Sequence, residues 1–526
     1  MTTPRVRAVN VAEMLSQTAR RLPDATAVVY GGTRWTWREL DEGAGRVCAA
    51  LRRAGARTGD CVLLHGHNHP EYIQALYGAW RAGAAVAPTN VRLTPADVTV
   101  IADVCRPVAM IASSGTEAHV DAVRATTGLP AGTLWIGDHQ GPDAVAALPA
   151  AADGEAATAR VEAGAHAWYF FTSGTSGSPK AAILTHDQLG FVTTNHAADL
   201  MPGLSEADVS LAVAPLSHGA GVHLLPQVAR GAATVIPTSP GLRPEEVWEL
   251  VERERVTNMF TVPTILKTLA EHPAAGTVDH SSLRHVVYAG APMLNADRDT
   301  ALDALGPVLV QYYGLGEVTG NITVLPPQDH RRPQPDGVDV GTCGRPRTGM
   351  QIAVVDSDGT ELGPGGIGEI CVAGPAVCAG YLGNEAATAA AFDGGWFHTG
   401  DLGMIDGHGY LYITGRASDM YISGGSNIHP RDIEEKLVAH PAVAEAAVLG
   451  MPHPRWGEIG VAIWVPRPGA DADEAELLSW LEPRLARYKL PKQLIRWSEL
   501  PKSGYGKVVK RTIREELTSS GWTAPA

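Results

Sequence analysis

The 526-residue sequence contains no CxxC pair, and its six cysteines, Cys48, Cys61, Cys105, Cys343, Cys371 and Cys378, stand far apart. Such scattering argues against both a zinc site and a disulfide framework and predicts buried, reduced thiols. No uninterrupted apolar run approaches the length of a membrane span, and Met1 to Arg7 is not followed by the apolar core of a signal peptide, so a cytoplasmic protein with no membrane partner is expected. Positive charge is also in short supply. Lys and Arg together number 42 against 56 Asp and Glu, a formal net charge of −14, which disfavours nucleic acid or an anionic membrane as the main partner. The parts of covalent catalysis are missing as well: there is no G-x-S-x-G elbow and no cysteine beside a histidine. Internal repeats and low-complexity tracts are absent.

What the chain does have is a dense polar loop. The apolar run Ala167-Trp168-Tyr169-Phe170-Phe171 leads into Thr172-Ser173-Gly174-Thr175-Ser176-Gly177-Ser178-Pro179-Lys180. Four hydroxyls between Thr172 and Ser176 offer donors, Gly174 and Gly177 let backbone N–H groups approach an anion, and Lys180 adds a positive charge. A plain Gly/Ser surface loop is the alternative. Pro179 directly before Lys180 rules out a Walker A loop, so another kind of nucleotide grip is implied. All nine positions, Thr172 to Lys180, resemble the signature loop of the adenylate-forming superfamily, which includes acyl-CoA synthetases, nonribosomal adenylation domains and luciferases.

Length alone predicts at least two domains. Apolar spacing predicts a helix over 11–21, a strand over 25–30 turning at Gly31-Gly32, a capped helix from Thr36 to Ala54, a strand over 61–65 and a helix over 70–82 ended by Gly83. A further helix is expected over 186–200. This alternation indicates an α/β architecture of layered, largely parallel sheets. His65, Asn68 and His69 read as solvated loop residues near a strand end. Residues 148–163 read as a surface connection. Beyond residue 430, helices over 433–439 and 474–485 alternate with strands over 443–450, 460–466 and 493–497, a small α+β unit.

Several further segments carry candidate site residues. Pro215-Leu216-Ser217-His218-Gly219 places His218 at a strand end, where a structural turn histidine is the competing reading. The strand ending in Ala289-Gly290-Ala291-Pro292 offers small residues against which a flat ring can lie, and a plain turn would explain them equally well. Gln311-Tyr312-Tyr313-Gly314-Leu315-Gly316-Glu317 presents aromatics able to stack on a base and a carboxylate within reach of a cation. Asp401 ends the loop 394–401, where a carboxylate can accept both hydroxyls of a ribose.

The resemblance implies roles for these residues. His218 would be a gate or wall of the acyl pocket, and Gly290 and Ala291 its floor and the adenine edge. Glu317 would hold Mg2+, Asp401 and Arg416 would bind ribose, and Ser418 would occupy the hinge position, where Asp or Lys is more usual. Ser423-Gly424-Gly425 would line a pantetheine tunnel, and Trp456 would stack on the adenine of CoA or simply pack. Lys507 would bridge the carboxylate and the α-phosphate. The family's Tyr-Gly-x-Thr-Glu pattern is broken at Gly316, which removes a hydroxyl. The small residues around His218, Gly219, Val222, Gly290, Tyr312, Gly314, Gly316 and Asn321 suggest room for a fatty, aryl or polycyclic acid. The implied organisation is an adenylation domain over 1–417 and a mobile lid over 418–526. The implied reaction joins a carboxylic acid to CoA with ATP and Mg2+, through an acyl-adenylate. Two readings compete with it: a stand-alone adenylating enzyme serving an acyl carrier protein or an amine, and a non-catalytic binder of nucleotide or acyl ligand. No phosphopantetheine-attachment domain is expected, and a homodimer is common among such proteins.

Overall fold

A computed structural model describes residues 9–129, 133–152, 154–172, 179–336, 338, 340–502 and 508–525. Two mostly parallel sheets form the larger part. One has six strands, in the order Thr133–Ile136, Ala109–Ser113, Cys61–His65, Ala85–Thr89, His166–Thr172, Lys180–Thr185; only the last pair is antiparallel. The other has seven, in the order Leu309–Gln311, His285–Tyr288, Asn258–Thr261, Val209–Leu211, Ala233–Ile236, Thr26–Tyr30, Thr33–Thr36, again antiparallel only at the final hairpin. The layered α/β class expected from the alternating pattern is the observed one.

The local signals behind these elements are chemical. Thr36 accepts a hydrogen bond from the Glu39 backbone while Glu39 reaches back, a capping box that starts helix Trp37–Arg53 and contributes about 1 kcal/mol. Gly83 ends helix Pro70–Ala82 with φ +89°, a left-handed conformation that disfavours residues with a Cβ. That helix is buried on every side, because it packs between helix Trp37–Arg53 and the six-stranded sheet, with Tyr72, Tyr77 and Trp80 inaccessible.

Helix His186–Asn195 differs from the expected single helix over 186–200: from His196 to Leu200 it widens into a π turn. The expectation that His65, Asn68 and His69 are solvated is corrected. His65 is fully buried, His69 caps the following helix by accepting from Glu71 N, and Asn68 stitches the two sheets together. Its amide nitrogen donates to Ala214 O at 2.8 Å and its oxygen accepts from Leu216 N at 2.8 Å, which fixes the turn leading to His218.

A third sheet, antiparallel, contains Gln351–Val355, Gly368–Ala373, Trp396–Ile405 and Leu411–Arg416. The carboxy-terminal sheet places Tyr421–Ser423 and Val443–His453 on either side of Gly457–Pro466, with Gln493–Arg496 parallel to the latter. Helices Pro430–Val438, Glu474–Leu481 and Lys510–Ser519 cover it, and its two hydrophobic clusters draw only Leu294 from outside the carboxy-terminal segment. Polar contacts also tie it to the larger part: Lys267 Nζ donates to Ala444 O at 3.1 Å and Arg431 Nη1 to Ile413 O at 3.0 Å. Among the described residues no helix is long and apolar enough to cross a membrane. All six cysteines are unpaired and buried.

Candidate active site

The polar loop leaves the six-stranded sheet between two paired residues, Thr172 and Lys180. Ser173, Gly174, Thr175, Ser176 and Gly177 lie outside the described residues. Thr172 Oγ1 donates to Glu317 Oε1 at 2.9 Å, and the Tyr381 hydroxyl donates to the same oxygen at 3.1 Å. Lys180 Nζ lies 5.2 Å from the centre of the Tyr381 ring. Burial and the adjacent carboxylate raise the Tyr381 phenol, so it stays a donor. Both hydrogen bonds fall on one oxygen of Glu317, which among the described residues leaves the other to a cation, and a single carboxylate plus phosphate oxygens suits Mg2+.

A second polar cluster gathers at Asp401, which is 4 % exposed. Tyr313 OH donates to its Oδ2 at 2.6 Å and Arg416 Nε to its Oδ1 at 2.7 Å, Arg416 standing directly opposite on the neighbouring strand. Glu369 braces the approach to Asp401: Gly400 N donates to Oε1 at 3.0 Å, and Oε2 lies 2.9 Å from His398 Nδ1. Gly400 has φ +71°. The same pairing corrects the expectation that no cysteine adjoins a histidine: Cys371 opposes His398, with Sγ 3.5 Å from Nδ1. Burial pushes the Cys371 thiol up to about 12, which keeps it protonated and unreactive as a nucleophile.

The segment from Tyr312 to Glu317 runs between these clusters. Gly314 abuts Gly320, whose carbonyl oxygen would lie 2.7 Å from a Cβ, and a Cβ on Gly316 would meet Phe170 Cε1 at 2.8 Å and Thr172 Cγ2 at 2.9 Å. Tyr312 turns the other way from Tyr313 and stacks on Phe260, with ring centres 6.0 Å apart. Gly219, next to His218, fits against both rings. His218 packs edge-on against Phe170 at 5.0 Å, and desolvation lowers it to about 3, so its imidazole is neutral at working pH. Gly290 is exposed, with φ +88°, and a Cβ there would have Val262 Cγ1, at 3.7 Å, as its nearest neighbour, so the backbone borders open space, with Ala291 beside it.

Ser423, Gly424, Gly425 and Trp456 come together elsewhere. Gly424 N donates to Trp456 O at 3.0 Å, and the indole, 41 % exposed, carries the Arg455 guanidinium 4.8 Å over its ring. Lys507 lies outside the described residues. Three contributors escaped sequence reasoning: Tyr381, Glu369 and Phe170. The Gly-Glu pair at Gly368-Glu369 and the aromatic at Phe170 were visible, but only strand register reveals what they face.

Two mostly parallel sheets joined to a small α+β unit, with the hydroxyl-rich segment falling between the paired residues Thr172 and Lys180, have the build of an adenylate-forming enzyme. The family model for AMP-binding enzymes matches residues 15–382, and that for the AMP-binding enzyme C-terminal domain matches 432–507. A feruloyl-CoA synthase of Amycolatopsis is 37 % identical over 95 % of this chain and 97 % of its own length. An indoleacetate–CoA ligase of Aromatoleum aromaticum is 33 % identical over 96 % and 98 %. ATP-bound MatB from Rhodopseudomonas palustris superposes with a TM-score of 0.87 at 30 % identity, covering 97 % of this chain and 100 % of its own. The chain belongs to the AMP-binding enzyme family, in its acid–CoA ligase branch.

Proposed function

We propose that the protein condenses a bulky aryl, fatty or polycyclic carboxylic acid with CoA in two steps, consuming ATP and releasing pyrophosphate and AMP. The observation that supports this reading best is the segment Tyr313 to Glu317, whose two ends join the Thr172–Glu317–Tyr381 cluster and the Asp401–Arg416 pair. That arrangement suits a nucleotide laid with its ribose at Asp401 and its phosphates at Thr172 and Lys180. Ser173, Gly174, Thr175, Ser176 and Gly177 would supply further phosphate donors. Mg2+ bound at Glu317 would neutralise charge on the phosphates as the leaving group departs.

In the first step a carboxylate oxygen of the acid attacks the α-phosphorus and the bond to the β-phosphate oxygen breaks, giving acyl-adenylate and pyrophosphate. Lys507 would stabilise charge along that line. Neutral His218 serves as a wall of the acyl pocket, and Gly290 and Ala291 border the adenine and the acyl group. In the second step the thiol of CoA, losing its proton, attacks the acyl carbon and AMP leaves. For this, residues 418–526 would turn about Arg416 and Ser418, bringing Ser423, Gly424 and Gly425 to the pantetheine arm and Trp456 to the adenine of CoA. The polar contacts between the two parts are compatible with such a turn.

Glu369 acts on this site through Asp401. Glu369→Gln replaces one of two acceptor oxygens and is expected to raise the KM for ATP about 5-fold, while kcat at saturating ATP stays within about 2-fold, since the hydrogen bond lost is worth about 1 kcal/mol. An equal fall in kcat with no change in KM would remove Glu369 from this role.

The reaction itself is tested by acid-dependent ATP–pyrophosphate exchange together with thioester analysis, over a panel of hydroxycinnamic, indoleacetic, fatty and polycyclic acids. Exchange plus an acyl-CoA product is the expected result. Exchange with no CoA product would shift the acceptor to a carrier protein or an amine. ATP binding with no exchange for any acid would leave a non-catalytic binder.

A further inference from the structure

Of one cluster of metal-ligating side chains, the chemistry above uses Glu369 alone. Glu369 and Cys371 stand two residues apart on strand Gly368–Ala373 and so share a face, and His398, on the neighbouring strand Trp396–Ile405, pairs directly with Cys371. Among the described residues this is the one group of three His, Cys, Asp or Glu side chains whose ligand atoms all lie within 4.8 Å of one another. The ligands come from two strands, so no C-x-x-C spacing marks them in the sequence.

The spacing of the three atoms suits a tetrahedral ion. His398 Nδ1 is the shared neighbour, 3.5 Å from Cys371 Sγ and 2.9 Å from Glu369 Oε2. Zinc, with bonds of about 2.3 Å to sulfur and about 2.0–2.2 Å to nitrogen and oxygen, sets sulfur and nitrogen about 3.6 Å apart and nitrogen and oxygen about 3.4 Å apart. The first separation is already present, and the second requires Glu369 Oε2 to draw back by about 0.5 Å. The group is open to an arriving ion: 28 % of the His398 side chain and 31 % of the Glu369 side chain are exposed, while Cys371 forms the buried end. Sulfur and imidazole select a borderline or soft divalent ion over Mg2+, so the ion suited here differs in kind from the one assigned to Glu317. Carboxylate and thiolate together balance its two charges, the thiol giving up its proton on coordination, and a water would complete the tetrahedron.

The same strand pairing ties this group to the nucleotide. Between Glu369–Leu402 and Cys371–His398 the register slips, and the bulge so formed carries Thr399, Gly400 and Asp401. Glu369 Oε1 accepts from Gly400 N at 3.0 Å, and Gly400 delivers Asp401 to Tyr313 and Arg416. A carboxylate that draws back to admit an ion loosens its hold on Gly400.

We propose that Glu369, Cys371 and His398 bind a zinc-class divalent ion, and that its binding weakens the affinity for ATP by drawing Glu369 away from Gly400. The metal site stands on its own geometry, whereas its effect on ATP rests on the reading that places the ribose at Asp401.

The test titrates the chelator-treated protein with Co2+, a spectroscopic stand-in for Zn2+. One equivalent should produce a thiolate-to-cobalt charge-transfer band, and Zn2+ should abolish it. Cys371→Ala should lose the band and bind Co2+ at least about 10-fold more weakly. With free zinc held at saturation by a chelating buffer, the KM for ATP of the native enzyme should rise about 5-fold, the value of the hydrogen bond to Gly400, while that of Cys371→Ala stays unchanged. Should Cys371→Ala fail to fold, His398→Gln reads the same loss of cobalt binding. The absence of a thiolate band, or an equal band in Cys371→Ala, overturns the site. A band lost in the variant with no rise in KM overturns the link to ATP. Turnover of no acid at all overturns the ligase reading, and the cobalt titration still decides the metal site.

Discussion

Lys507→Ala is expected to lower acid-dependent ATP–pyrophosphate exchange about 1000-fold, the loss typical of removing one group that stabilises charge only in the transition state. Thioester formation from a supplied acyl-adenylate should change no more than about 3-fold, because in that step the lysine has no phosphate transfer to assist. The neighbouring lysines serve as controls. Lys502 Nζ lies 2.7 Å from Glu445 Oε2, and Lys510 Nζ lies 2.7 Å from Glu434 Oε1, so each is engaged in an ion pair on the carboxy-terminal sheet and its helices. Partly exposed pairs of this kind are worth at most about 1 kcal/mol, so alanine at either position should leave exchange within a few-fold of native. If exchange survives Lys507→Ala, or falls equally in Lys510→Ala, the assignment of the bridging lysine is wrong. A parallel fall in both half-reactions would point to a folding defect in the carboxy-terminal segment instead.

The features legible in the sequence are those encoded locally. The Thr36 capping box, the Gly83 terminus and the strand at Cys61–His65 each follow from residues a few positions apart, and the observed bounds agree closely. The same holds for the loop signature and the family it implied. What was not legible depends on register between distant strands or on packing across layers. Asn68 reads as a solvated asparagine until Ala214 and Leu216, about 150 positions away, are laid against it. Cys371 and His398 are 27 residues apart and become neighbours only through the antiparallel pairing of two strands.

Gly316→Thr, which restores the residue the family pattern calls for, is expected to lower the rate of adenylation about 100-fold instead of raising it. From sequence, Gly316 reads as a missing hydroxyl. In the structure the space belongs to other residues: a Cβ there would lie 2.8 Å from Phe170 Cε1 and 2.9 Å from Thr172 Cγ2, closer than side chains tolerate. Phe170 has limited freedom to withdraw, because its ring is held between Trp168, with ring centres 6.3 Å apart, and His218 at 5.0 Å. Relief would therefore come from moving the Gly316–Val318 turn, and with it Glu317, out of hydrogen-bond range of Thr172 and Tyr381. A displacement of about 1 Å in such a group costs on the order of 100-fold in rate. Gly316→Ala should show most of the same loss, since the clash begins at Cβ, before any hydroxyl is added. The decisive comparison is the double variant Phe170→Ala with Gly316→Thr. Removing the ring vacates the space the threonine needs, so adenylation should recover at least about 10-fold over Gly316→Thr alone, whereas Phe170→Ala by itself enlarges a cavity and brings no gain. Additive losses in the double variant would show that Gly316 and Phe170 are not a coupled pair, and a faster enzyme from Gly316→Thr alone would show that the departure from the family pattern is simply a missing group.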